Sequence, residues 1–515
     1  MKILSVTPEN TLKGDLVELK FKFLITKIPS EDTEDKNFPY PDELFFVNFG
    51  ETGKFTSDYV YQSRFLVLRD GDGLNFNGYA PDFARKSNII KDKFGNTKFE
   101  LNKIYSVKLI LSKYRVYVSV DDGFAKTSYG NGRDEITDVA FYAREGVEIF
   151  LSEVSLKETE LGDIKIDENL QYFIDNRLIS NFRDFHIALD GVYFDRISIE
   201  QNIECTTRNS GAYQSGVAID VYTDTRELKL EFEVTDIPFE KWETQFGYFI
   251  NGKKIDRNIR ITQKDEIYEE VFCIPDDYPK YNRVTVFFPY SVSLAMRKIS
   301  FTDGARFKPV EKNGWMYFYG DSITEGSECF DPATVYVTQV CMAYNYNCLD
   351  QAISGRTFNP YNVKGGYFHQ PDYVFIANGT NSFCAGMGKK EDVFEHLERD
   401  MKIVIESAKK EFPLAKIIAL LPIWRSDEEG INFSLKETVE KMVEIYAKYD
   451  GISVINCHSF VPFDYGYFSS TELAIHPNSK GHAEYGKNLL KALKDVIGEP
   501  EERNDAMLAQ KAFEK

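Results

Sequence analysis

The hydrophobic pattern of this chain changes character near residue 311, and that change limits its possible folds more than any other feature. Before it, apolar and polar residues alternate. In Glu227-Leu228-Lys229-Leu230-Glu231-Phe232-Glu233-Val234, the residues Leu228, Leu230, Phe232 and Val234 share one face of a strand. After it, short apolar runs at Trp315–Tyr319, Tyr373–Ala377, Ile417–Leu421 and Ile452–Ile455 have the composition of strands buried on both faces. Helical stripes alternate with these runs. Leu435, Val439, Met442, Val443 and Tyr446 form one stripe, opened by a Ser434/Glu437 capping box. Leu489, Leu490, Leu493, Val496 and Ile497 form another, closed by Gly498. Asp331-Pro332 has the form of an N-cap followed by a first-turn proline. Strand–helix alternation of this kind predicts a doubly wound α/β domain over residues 311–500 with a parallel sheet.

The residues before 311 predict two all-β sandwiches of jelly-roll type. In 1–160, Val107–Leu111 and Arg115–Val120 are β-branched runs separated by Ser112-Lys113-Tyr114, and the second ends at the turn Asp121-Asp122-Gly123. In 161–310, Asn251-Gly252 between Phe246–Ile250 and Lys253–Ile255 has the dipeptide of a type I′ hairpin. The first sandwich is read as lectin-like and the second as accessory to the α/β domain. Residues 501–515 read as a charged tail with a frayed helix, Ser30–Pro41 as a loop, and Asp70-Gly71-Asp72-Gly73 as a tight turn, since it lacks the full calcium-loop spacing.

A formal net charge of −19 opposes nucleic acid and anionic membranes, because either partner must first have its phosphates neutralised. Nucleic acid is excluded as the main partner. No run reaches the ~18 apolar residues of a membrane span, and Met1–Pro8 lacks the apolar core of a signal peptide. The seven scattered cysteines form no CxxC pair and fit free thiols in a reducing compartment. These features predict a cytoplasmic protein with no membrane partner, and they are compatible with a homo-oligomer. His186, His369, His396 and His458 show no metal-ligand spacing, so no metal and no cofactor are expected.

Doubly wound sheets bind ligands beyond the carboxyl ends of their strands, and four polar signals fall in that region in order. Gly320-Asp321-Ser322 follows the first apolar run, Ser354-Gly355-Arg356 follows Cys348–Ile353, Asn378-Gly379-Thr380-Asn381 follows Tyr373–Ala377, and Ile475-His476-Pro477-Asn478 precedes the last helix. With these blocks, residues 314–498 resemble the SGNH (GDSL-like) hydrolase family. The resemblance places the family's four residues on Ser322, Gly355, Asn381 and His476. It implies an α/β/α domain that hydrolyses an ester, thioester or related acyl bond. Ser210-Gly211, Ser215–Ile219 and Ile299–Ala305 give the middle segment a looser resemblance to the sandwich that precedes the catalytic domain in carbohydrate-directed members.

In these roles Ser322 is the nucleophile and His476 the base that takes its proton. The N–H groups of Ser322 and Gly355 and the Asn381 amide form the oxyanion hole. Asp321 is expected to tie down the nucleophile loop, His482 to pack, and Arg356, Trp424 and Arg425 to lie on the solvated surface. The family's orienting Asp, three residues before the histidine, is replaced by Leu473. Three arrangements remain open: Glu472 reaches the ring through a shifted loop, a backbone carbonyl or water orients it, or the hydrolase is weak or dead. The resulting expectation is an esterase acting on short acyl esters, chiefly acetyl, of a small molecule or oligosaccharide. The rivals are a carbohydrate-binding protein with a degenerate hydrolase domain and a lipid- or thioester-directed hydrolase.

Overall fold

The computed structural model describes residues 2–6, 16–29, 43–49, 64–69, 74–77, 98–112, 116–121, 123–126, 139–158, 165–198, 213–237, 243–257, 260–263, 266–359, 363 and 369–514. The expectations for Ser30–Pro41, Asp70–Gly73 and Ser210-Gly211, and that for Cys205, one of the seven cysteines read as free thiols, lie outside them. By its contacts the chain divides into two compact units, one spanning Met1–Ile164 and the other running from Lys165 onward.

The first unit is a sandwich of two five-stranded antiparallel sheets. One has the order Lys2–Val6, Val139–Ala143, Glu43–Phe49, Arg64–Leu68, Leu74–Asn77, and the other Glu148–Glu158, Leu16–Lys27, Ile104–Ser112, Val116–Val120, Gly123–Lys126. Alternation along Leu16–Lys27 turns Val17, Leu19, Phe21, Phe23 and Ile25 inward against Phe45, Phe65 and Phe141 of the facing sheet.

The second unit begins with another sandwich. Leu228, Leu230, Phe232 and Val234 all face its core, as the alternation requires. Asn251 (φ 52°) and Gly252 (φ 76°) turn the expected hairpin between Gly247–Ile250 and Lys253–Lys254. The structure adds a helix at Glu168–Asp175, capped by Asp167; eight residues carry too little periodicity to stand out beside strands.

This sandwich shares its interior with the α/β domain. Tyr290, at the sandwich end, packs among Val335, Val337 and Cys348, and its hydroxyl lies 2.7 Å from Thr338 Oγ1. Asn181 Oδ1 accepts from Cys348 N–H at 2.9 Å. A Cβ on Gly247 would lie 2.7 Å from Ala333 N, so only glycine allows this approach.

The parallel sheet has the order Asn347–Asp350, Trp315–Gly320, Tyr373–Ala377, Lys416–Leu421, Ile452–Asn456, that is, 2-1-3-4-5. Side chains alternate across its faces. Met316, Phe318, Phe375 and Ile418 meet the helices Tyr336–Tyr344 and Ser479–Ile497 on one side. Tyr317, Tyr319, Val374 and Ile376 meet Lys390–Glu411 and Leu435–Tyr446 on the other. The Ser434/Glu437 capping box is complete, and Asp331 caps the short turn Pro332–Thr334.

The terminal segment corrects its sequence reading. Residues Asp505–Glu514 form a helix docked on the sandwich, with Phe513 stacked on Tyr281 at 4.8 Å. Asp505 pairs at 3.2 Å with buried Arg283, which also holds Asp220 at 2.8 Å. So short a helix is marginal alone, and tertiary partners supply what periodicity does not announce.

Candidate functional site

In a 2-1-3-4-5 sheet the strand order reverses between strands one and three, and the crevice opens beyond their carboxyl ends. The strand Trp315–Gly320 runs directly into that region. Asp321 Oδ1 caps the next turn by accepting from Ile323 N–H at 3.1 Å, and Ser322 is the first residue of the short helix Ser322–Glu325. Gly320 has no substitute here, because a Cβ would lie 2.1 Å from Thr324 Oγ1.

Ser322 Oγ lies 2.8 Å from His476 Nε2. The other ring nitrogen, Nδ1, lies 3.0 Å from Glu328 Oε1. Glu328 Oε2 in turn accepts from the Ser469 hydroxyl. The result is a continuous hydroxyl–imidazole–carboxylate line. Burial pushes the Glu328 carboxyl up, but hydrogen bonding and charge from His476, with the Ser469 bond, outweigh it and hold the carboxyl below its usual range. Glu328 sits at φ 64°, a left-handed conformation that costs a non-glycine residue about 1–3 kcal/mol. A strained residue whose side chain meets a catalytic-type imidazole is a common feature of active sites.

Glu472 does not occupy this place. Ser470 Oγ accepts the N–H groups of Glu472 (3.2 Å) and Leu473 (3.1 Å) in a local turn that leaves both residues exposed. Nδ1 is already met by Glu328, so neither a shifted Glu472 loop nor a backbone carbonyl is needed. The sequence signal for Glu328 lies in Gly326-Ser327-Glu328, just beyond the nucleophile, whereas the family pattern directs attention to the residues before the histidine.

Gly355 stands at φ 78° in a turn closed by Arg356 N–H to Ile353 O (3.2 Å). Its own N–H donates to no protein acceptor among the described residues. Two bonds tie this turn to its neighbours: Ile353 N–H to Gly320 O at 3.2 Å, and Asn381 Nδ2 to Arg356 O at 3.0 Å. Asn381 therefore spends one amide N–H on its own anchoring and keeps the second. The N–H of Ser322, in the first turn of its helix, also has no intrahelical partner. The structure thus brings Ser322, Gly355, Asn381 and His476 into one linked set of loops.

Trp424 and Arg425 are buried, not on the solvated surface. The Trp424 indole donates to Val461 O (3.0 Å) and Pro462 O (3.1 Å), bracing the loop that leads to His476. Arg425 Nη1 donates to Thr380 O (2.8 Å) while Nη2 holds Asp427 (2.8 Å), bracing the Asn381 loop. Arg356 is half-buried and contributes its carbonyl. His482 is fully buried; burial, with charge from His476, pushes its imidazole down to about 3, so it stays neutral as a packing residue. Burial pushes the Asp321 carboxyl up to about 7, against the Ile323 N–H and the charges of His476 and Arg425. Among the described residues no group of three or more His, Cys, Asp or Glu is placed to hold a metal ion. No helix there is long and apolar enough to cross a membrane.

Residues 318–484 match the model of the GDSL-like Lipase/Acylhydrolase family. No curated protein sequence matches the chain. Among solved structures, a salicylyl-acyltransferase from a tetracycline biosynthetic pathway aligns with a TM-score of 0.52 at 16% identity, over 62% of this chain and 95% of that one. A family two carbohydrate esterase from Clostridium thermocellum, in complex with cellohexaose, aligns at 0.45 and 14%, over 62% and 99%. An acetyl xylan esterase from Butyrivibrio proteoclasticus aligns at 0.42 and 16%, over 55% and 90%. At these identities the likeness to the acyltransferase is one of fold.

Proposed function

We propose that this chain, whose residues 318–484 form a GDSL-like lipase/acylhydrolase domain, is a serine esterase that removes short acyl groups. One observation carries the reading: Ser322 Oγ, His476 and Glu328 lie in line at 2.8 and 3.0 Å. His476 Nε2 takes the Ser322 proton as Oγ attacks the acyl carbon. Glu328 accepts from Nδ1–H, which fixes the tautomer and offsets the charge of the imidazolium. Oxygen charge building on the tetrahedral intermediate meets the N–H groups of Ser322 and Gly355 and the free N–H of Asn381. His476 then protonates the leaving alcohol, and water resolves the acyl-enzyme by the same steps in reverse.

The finer reading is an acetyl ester on a carbohydrate. Its support is the segment between the last parallel strand and His476, where Phe463 and Tyr465 are 61% and 41% exposed. Exposed aromatic faces of this kind offer an apolar surface on which the C–H face of a sugar can lie. The direct test compares the protein with its Ser322→Ala variant on p-nitrophenyl acetate and on acetylated oligosaccharides. Turnover abolished only in the variant is expected, and equal background rates from both proteins overturn the esterase reading. A preference for C8–C12 over C2 acyl chains would replace short-acyl specificity with lipid specificity.

A further inference from the structure

A fully buried ion pair joins the second sandwich to the oxyanion side of the site. Arg196 follows the sandwich strand Gly191–Asp195, 129 residues before Glu325 in sequence. Its Nη2 donates to Glu325 Oε1 at 2.7 Å, and both side chains have no exposed surface. Nη1 donates to Asp350 O at 3.0 Å and to Ala352 O, while Nε donates to Tyr213 O at 2.9 Å. The contact is reciprocal, since Gln351 Nε2 donates to Arg196 O.

Glu325 stands between the two halves of the site. It ends the helix that begins with Ser322. Its second oxygen accepts both the N–H of Ser354, at 2.7 Å, and the Ser354 hydroxyl. Ser354 also meets Ser327 Oγ at 2.8 Å, and it immediately precedes Gly355. Removing a guanidinium and a carboxylate from water is costly, and a well-packed apolar pair commonly matches or exceeds the stability of such a contact. What an apolar pair cannot do is direct two hydrogen bonds at the carbonyls of Asp350 and Ala352, just before the Gly355 turn, and two acceptor contacts at Ser354. With Glu325 in place, the guanidinium also offsets a carboxylate charge beside a site where an oxyanion forms.

We propose that Arg196 is a positioning residue for the oxyanion hole. By fixing and neutralising Glu325, it holds the Ser354–Gly355 turn against the nucleophile helix, which makes the second sandwich part of the acyl-transfer apparatus. The inference rests on the esterase reading of Ser322.

The test is Arg196→Met in the full-length chain, with the double variant Arg196→Met/Glu325→Gln beside it. In the single variant, kcat on p-nitrophenyl acetate falls about 10- to 100-fold with KM nearly unchanged. The rate at which a fluorophosphonate labels Ser322, followed by intact mass, falls in parallel. The double variant removes the stranded carboxylate charge while keeping an acceptor for Ser354, and it recovers part of kcat. Loss of thermal stability with unchanged labelling rate per folded molecule would overturn the proposal, reducing the pair to a structural tie. If Arg196→Met does not fold, the apolar pair Arg196→Met/Glu325→Leu, which keeps the packing but removes the acceptor for Ser354, is read the same way: unchanged kcat and labelling rate overturn the proposal. A wild-type chain that neither labels nor hydrolyses defeats the esterase reading and this inference together. Normal labelling in both wild type and variant defeats this inference alone.

Discussion

The loop after the first parallel strand and the loop after the last contribute to the same site in very different amounts. The nucleophile loop, residues 320–328, supplies Ser322, its cap Asp321, the anchor Glu325 and the carboxylate Glu328. The histidine loop, residues 469–478, supplies His476 and the Ser469 hydroxyl that meets Glu328, its own acid Glu472 being turned to solvent by Ser470. The acid of a triad needs only to reach Nδ1, and any element passing that side of the ring will serve. Here the chain that carries the nucleophile passes there. Leu473, where the resembled family carries Asp, therefore does not leave His476 without a carboxylate partner.

The comparison breaks most visibly at Ser322. Ser322→Ala should cut kcat by about 10⁴-fold or more, leaving whatever the oxyanion donors contribute alone. Next comes Glu328→Gln, which keeps the size of the side chain but offers the ring a weaker, neutral partner. A fall of about 10²–10⁴-fold, mainly in kcat, is expected from steady-state kinetics. A loss smaller than about threefold would mean that a carbonyl or water suffices to orient His476, and that the nucleophile loop is no richer than the histidine loop.

Much of this was legible before any coordinates. The four apolar runs became strands because burial on both faces demands their composition, and Ser434/Glu437 and Gly498 bounded helices because orphan backbone groups demand caps. Ser322, Gly355, Asn381 and His476 came together because local spacing places each just past a strand or ahead of a helix. Glu328, Arg196 and the Asp505 helix were not legible. Each depends on a partner far away in sequence, His476, Glu325 or Arg283. No local period encodes which distant residue a carboxylate or guanidinium will meet. The burial of Trp424 and Arg425 escaped for the same reason, since their partners lie on neighbouring loops.

The two regions also differ in how they titrate. Burial raises Asp321 from 3.8 to about 7, so between those values the folded state binds a proton that the unfolded state does not. Stability is therefore lost as pH rises from about 4 to about 7 and is level above. His482, in the helix behind the histidine loop, has the opposite sign. Its pKa falls from 6.5 to about 3, so stability is lost as pH drops through that window. Urea denaturation from pH 4 to 8 checks both. The two windows overlap and oppose each other between about 4 and 6.5, so the wild-type profile should be nearly level there. Asp321→Asn keeps a capping side chain and should leave a stability that rises with pH across that range, whereas His482→Phe should leave one that falls. A profile unchanged by Asp321→Asn would show that the buried carboxyl does not carry its share of the slope.

The smallest effect belongs to the histidine loop's own acid position. Glu472 is exposed and makes no side-chain contact with the ring, so Glu472→Gln should leave kcat within about twofold. The sharper version installs an acid where the family pattern expects one. Leu473 is 46% exposed, and its N–H is bound into the Ser470 turn at 3.1 Å, which directs the side chain outward. Leu473→Asp in the Glu328→Gln background should therefore fail to restore turnover. If it did restore turnover, the turn would have to yield, and the histidine loop would hold a latent acid site that its present sequence leaves unused. Failure of rescue, with the single Glu472→Gln variant fully active, would show that the geometry of the Ser470 turn, rather than the residue at 473, assigns the acid to the nucleophile loop.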